Sequence, residues 1–154
     1  MNSQKLVSKY LPVDYHDCFR KEVVGDFTVD DVFNRMFCDF PAWVKTMLRL
    51  RDTLMRPFGL KTGTSFAERI IERNDEEIVI GSTDKHLSFW VSVYCVEPCA
   101  TTANHRMAEV STLVKCHNML GRIYFVGMLL FHRLIVGTLF RRAIRKRAEK
   151  PVNW

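Results

Sequence analysis

Glycine and proline are scarce in this chain, 7 and 5 of 154 residues, and nowhere do they gather into a linker, a low-complexity stretch or an internal repeat. That absence excludes a repeat array and leaves one domain over residues 1–154, long enough to bury a real core. The five cysteines, Cys18, Cys38, Cys95, Cys99 and Cys116, are odd in number and follow no regular framework. The N-terminus lacks the apolar run of a secretory signal. A reduced, cytoplasmic setting is the expectation. Missing as well is the run of about 20 apolar residues that a spanning helix needs. The nearest candidate, residues 121–140, is uncharged only from Ile123 to Phe131 before His132 and Arg133 interrupt it, so a buried core helix is expected there. No G-x-G-x-x-G, P-loop, G-x-S-x-G, H-E-x-x-H or EF-hand pattern occurs. Nothing points to a cofactor, and no motif names a reaction.

What is present is an ordinary globular composition, 47% hydrophobic and 26% charged, with its charge unevenly placed. The chain carries 23 Lys and Arg against 17 Asp and Glu, a net charge of +6. From Arg133 onward there are seven basic residues and one acid, which supply the whole excess, so residues 1–132 sum to zero. A nucleic-acid-binding domain shows a basic face across its body; here no nucleic acid is expected. Residues 141–154 form a basic helix end and tail, with Arg141, Arg142, Arg145, Lys146, Arg147 and Lys150. These cations either complement a helix C-terminus or meet an acidic partner or an anionic membrane surface.

Hydrophobic periodicity sets the elements. Within residues 10–24, Tyr15, Asp17 and Phe19 alternate with His16, Cys18 and Arg20, a strand pattern that sends Asp17 to the face of Tyr15 and Phe19. Thr28 stands where a helix cap belongs, with Asp31 three residues on, and Val29, Val32, Phe33, Met36 and Phe37 form the apolar face of that helix. Pro41 opens a second helix with the stripe Trp43, Met47, Leu50 and Leu54, stopped by Pro57 and Gly59. Residues 65–72, 77–81 and 87–95 read as strands from their β-branched and aromatic content. In the last of these, Leu87, Phe89, Val91, Val93 and Cys95 make the more apolar face. Turns fall at 74–75, 81–85 and 97–104. A further strand over 105–117 leads to Asn118, a cap for a helix over 120–147. This order gives an α+β fold: a curved antiparallel sheet gripping a long C-terminal helix, with two short helices after the first strand.

Three strings carry a resemblance that covers nearly the whole chain. They are Asp14-Tyr15-His16-Asp17-Cys18-Phe19; Gly81 with Asp84-Lys85-His86-Leu87; and His117-Asn118-Met119-Leu120-Gly121-Arg122-Ile123-Tyr124 followed by Phe131-His132-Arg133-Leu134-Ile135-Val136. Together they resemble a bacterial family, domain of unknown function 2867, whose element order is similar to the START/Bet v 1-like (SRPBCC-like, polyketide cyclase-like) helix-grip superfamily. The resemblance implies a helix-grip fold, in a protein that stands alone or follows a short-chain-dehydrogenase-like NAD(P)-binding domain. Leu130 departs from the family pattern, which has a proline before the Phe-His pair, and implies a straighter last helix.

The candidate site follows from this frame. Asp14, His16 and Asp17 are either an acid/base group at a cavity or solvent-facing and structural, and a buried Asp17 needs a partner such as Arg122 or His132. No catalytic residue is assigned, Asp17 and His132 being the acid/base candidates. Arg122 and Arg133 are eleven residues apart, about three helical turns, and share nearly one stripe. Phe89, Val91, Arg122, Tyr124, Leu129 and His132 are the ligand-binding candidates, since binding sites are mostly apolar with a few convergent polar groups. Cys95, Cys99, His105, Cys116 and His117 gather around one hairpin, but a lone C-x3-C with Cys116 and His117 on opposite strand faces is a poor tetrahedral set, and no metal site is expected. The expected function is a non-enzymatic binding module for a small hydrophobic or amphipathic ligand. The alternatives are a cavity enzyme of cyclase or hydrolase type, and an accessory domain docking on an NAD(P)-dependent reductase or a membrane surface.

Overall fold

The computed structural model describes residues 6–58, 66–96 and 105–145. Its strands are β1 (Tyr15–Val24), β2 (Ile70–Arg73), β3 (Glu77–Thr83), β4 (Leu87–Val96) and β5 (His105–Cys116). They form one antiparallel sheet in the order β1-β5-β4-β3-β2. Turn chemistry sets the meander: the Asn74 side chain accepts the amides of Glu76 and Glu77 at 2.9 and 2.7 Å, an Asx turn that reverses the chain. Pairing β1 with β5 places Asp17 opposite Thr112 and Tyr15 opposite Val114. Side chains alternate as expected along β1, with Tyr15, Asp17 and Phe19 turned inward.

The helices are α1 (Val29–Phe37), α2 (Ala42–Met55) and α3 (Met119–Arg145). Helix α1 starts at a capping box in which Thr28 and Asp31 each accept the other's backbone N–H at 3.1 Å, and its five apolar residues are all buried. Helix α3 starts where Asn118 accepts the Gly121 amide at 2.9 Å. Gly121 is required there, because a Cβ would overlap the backbone carbonyl of His86. At its other end Arg35 donates to the Ala143 carbonyl (3.2 Å) and Arg142 to the Asp39 carbonyl (2.6 Å). Val136, Leu139, Phe140 and Ala143 join Val32 and Met36 of α1 in the main core. The arrangement is the helix-grip one: a five-stranded antiparallel sheet holding a long C-terminal helix, with α1 and α2 inserted after β1. That helix runs unbroken across Leu130.

Three expectations are corrected, and one element is new. Of the strand over 65–72, Phe66–Arg69 is a 3-10 turn and only Ile70–Arg73 is extended. Phe66 turns inward to pack on Phe37 and Phe40, ring centroids 5.4 and 5.7 Å away, and that burial wins over extension. Helix α2 buries Val44 and half-buries Met47, Leu48 and Arg51, leaving Trp43, Leu50 and Leu54 exposed; three of the four residues of the expected stripe face out. The outer face of the sheet is also covered, by a 3-10 turn over Leu6–Tyr10 whose Val7 packs with Val79 and Leu113. Finally, α3 is long and apolar enough to cross a membrane, with a mean hydropathy of 1.8 over 18 residues, yet only 22% of that stretch is buried. It is a core helix in its last turns alone. The turn at 97–104 with Cys99, and Lys146, Arg147 and Lys150 of the basic tail, lie outside the described residues.

Candidate functional site

The inner face of the sheet, α3 and the α1–α2 pair line a partly open cavity of about 200 Å³. Phe37, Phe40 and Leu48 supply one apolar wall, Phe89, Val91 and Val114 the sheet wall, and Phe125, Met128 and Leu139 the helix wall. Strand parity explains the second set, since Phe89 and Val91 alternate onto the inner face of β4, where they pair with Val114 and Thr112 of β5.

A small set of polar groups converges on this space. Thr112 and His132 line it, and Asp17 stands behind them. The Asp17 carboxylate, 9% exposed, accepts the Tyr15 hydroxyl at 2.8 Å through Oδ2. His132 Nε2 lies 3.5 Å from the same oxygen, ion-pair distance without hydrogen-bond geometry. Burial pushes the Asp17 carboxyl up, but His132, Tyr15 and Thr112 together outweigh it and hold it below its ordinary value. Burial, then the bond to Asp17, pushes the Tyr15 hydroxyl up to about 12.

Arg51 and Arg69 bring cationic groups to the same cavity. Arg51 donates through Nε (3.0 Å) and Nη2 (2.7 Å) to its neighbour Asp52. Burial and the nearby Arg51 hold the Arg69 guanidinium below its ordinary value. Tyr124 completes the lining, its hydroxyl pushed up by burial. Asp84 is the acid on the lining.

Four of the expected ligand-binding residues, Phe89, Val91, Tyr124 and His132, therefore line the cavity. Arg122 and Leu129 do not. Arg122 is two residues from Tyr124, about 200° around the helix, and points to solvent with Nη2 3.9 Å from Asp14. Leu129 is turned roughly 60° away from His132. Of the two partners expected for Asp17, His132 takes the place and Arg122 does not. Asp14 accepts the Cys116 amide at 2.7 Å and pins the end of the β1–β5 ladder, and His16 is exposed. Cys95 is buried, its Sγ donating to the Phe27 carbonyl at 3.3 Å and its thiol pushed up to about 11 by burial. Cys116 lies at the opposite end of the ladder, across from Leu87. Among the described residues no three His, Cys, Asp or Glu side chains gather as metal ligands.

Sequence reasoning missed Thr112, Arg51 and Arg69. A signal existed for two of them. Thr112 is the inward residue that pairing sets against Asp17, and Arg51 completes the i, i+4, i+7 row begun by Val44 and Leu48. Arg69 gave none, since it lies in the 3-10 turn.

A five-stranded antiparallel sheet and the long C-terminal helix it grips define a small α+β helix-grip protein. The sequence profile described as protein of unknown function (DUF2867) matches residues 10–139, and the chain belongs to that family. No curated protein matches it. The crystal structure of an uncharacterised protein from Bacillus thuringiensis is 12% identical over 82% of this chain and 99% of that chain, with a TM-score of 0.28, a likeness too slight to carry an argument.

Proposed function

We propose that this protein is a non-enzymatic binding module for a small amphipathic molecule held between sheet and α3. One observation carries the reading: beside an apolar cavity of about 200 Å³, the buried atoms Asp17 Oδ1 and Thr112 Oγ1 make no hydrogen bond among the described residues, and His132 Nε2 makes none either, meeting Asp17 Oδ2 only as an ion pair at 3.5 Å. Buried polar groups are ordinarily paired, and an unpaired one costs about 1–3 kcal/mol. A hydroxyl on an apolar body would answer them, because it both donates and accepts. The guanidinium groups of Arg69 and of Arg51, the latter bound to Asp52, place positive charge at the lining and favour an acidic group on the same molecule. The volume is below the roughly 300–1,000 Å³ of sites for drug-sized ligands, which restricts the body to a short chain or a single ring.

Native mass spectrometry of freshly purified protein should show a small co-purifying species. In thermal-shift titrations, octanoate should stabilise more than octanol, and octanol more than octylamine. Val91→Trp, which fills the space, should abolish all three shifts. No adduct together with no shift from any probe rejects the reading. Equal shifts from octanoate and octylamine reject only the acidic end of the ligand.

A further inference from the structure

We propose that the outer face of α3 docks this protein on an anionic lipid surface. Met119, Ile123, Val126, Leu130 and Leu134 recur at i, i+4, i+7, i+11 and i+15, one continuous helix face. Ile123, Val126, Leu130 and Leu134 are 65, 71, 76 and 54% exposed. Gly127 lies on the same face, and nothing approaches within 4 Å of the place its Cβ would take. The cavity-lining residues Tyr124, Met128 and His132 occupy the opposite side, so this face is independent of the ligand site. An exposed apolar row of this extent marks an interaction surface.

Charge selects the occupant. Helix α3 carries Arg122, Arg133, Arg141, Arg142 and Arg145 and no acidic residue. Arg122 and Arg133 border the apolar row along one edge, and Arg141 and Arg145 extend it at its C-terminal end. Arg142 is engaged with Asp39. In the sequence Lys146, Arg147 and Lys150 follow. On the helix itself cations alone border the apolar row, the nearest acid being Asp14 of β1, 3.9 Å from Arg122, and such a row suits a helix lying in the headgroup region of an anionic bilayer. A second copy suits it less: antiparallel pairing centred on the row sets Arg122 of one copy against Arg133 of the other, with no acid on either helix. Crossing the bilayer is opposed by Val136, Leu139 and Phe140, which fix the last turns of α3 in the core.

The test is flotation of the full chain with vesicles of phosphatidylcholine containing one-third phosphatidylglycerol, against vesicles of phosphatidylcholine alone. Binding to the anionic vesicles is expected to be roughly tenfold or more the stronger and to fall steeply with added salt. Val126→Ser with Leu130→Ser should remove it, and Arg122→Gln with Arg133→Gln should weaken it severalfold, both with unchanged circular dichroism because all four side chains are exposed. Equal binding to the two vesicle types, or binding to neither, overturns the proposal. So does a stable dimer in light scattering that Val126→Ser with Leu130→Ser turns into monomers.

Discussion

His132 of α3 stands 3.5 Å from Asp17 of β1 and ties the gripping helix to the far strand of the sheet. Asp17 is held below its ordinary value in the folded chain. A depressed folded value means that its contribution to stability is present above the unfolded value, about 3.9, and is lost as pH falls through the folded one. Asp17→Asn is therefore expected to cost about 1–3 kcal/mol near neutral pH, and markedly less at pH 3. Urea unfolding at the two pH values measures this, and an equal cost at both contradicts it.

Two glycines of the same helix should respond in opposite directions. Gly121→Ala forces a methyl onto the His86 carbonyl, and overpacking of this kind costs about 1–3 kcal/mol. Gly127→Ala meets nothing and should stabilise by up to about 1 kcal/mol through helix propensity alone. Thermal melts of the two variants should move to either side of the parent.

Thr28→Ala removes one half of the α1 capping box. The expected cost is about 1 kcal/mol, largely recovered in Thr28→Ser. A serine variant as unstable as the alanine one would show that the threonine methyl, not the cap, matters.

Glu77 holds the N-terminal turn to the outer face of the sheet. Its buried carboxylate accepts the Val7 amide at 3.2 Å and the Ser92 hydroxyl at 2.5 Å. Glu77→Ala should accelerate hydrogen exchange at the Val7 amide far more than at amides of α3. A uniform acceleration would indicate global destabilisation instead.

Most of the architecture is written in local chemistry, because period-2 alternation, the Thr28 cap, Pro41 and Asn118 act within a few residues of themselves. The site is less legible, for a related reason. That Asp17 faces inward follows from alternation along one strand, whereas its choice of His132 over Arg122 depends on how α3 is rotated above the sheet. The same rotation decides that Arg122 and Leu129 miss the cavity. It also exposes Ile123 and Leu130, which hydropathy alone assigns to a core. The error at α2 is of the same kind, since Trp43 and Leu50 form a credible stripe and only the packed neighbours show that Val44 and Leu48 face in.

The two ends of α3 are fastened, at Asn118, which donates to the Lys85 carbonyl of the β3–β4 turn, and Gly121, which sits against His86, and at Ala143 and Arg142 against α1 and the residues after it. Between them the helix spans the cavity as a beam spans a room, supported at its bearings and loaded in the middle. Among its described residues helix α2 buries Val44 alone, so of the helices around the cavity it is the one with the smallest apolar anchor.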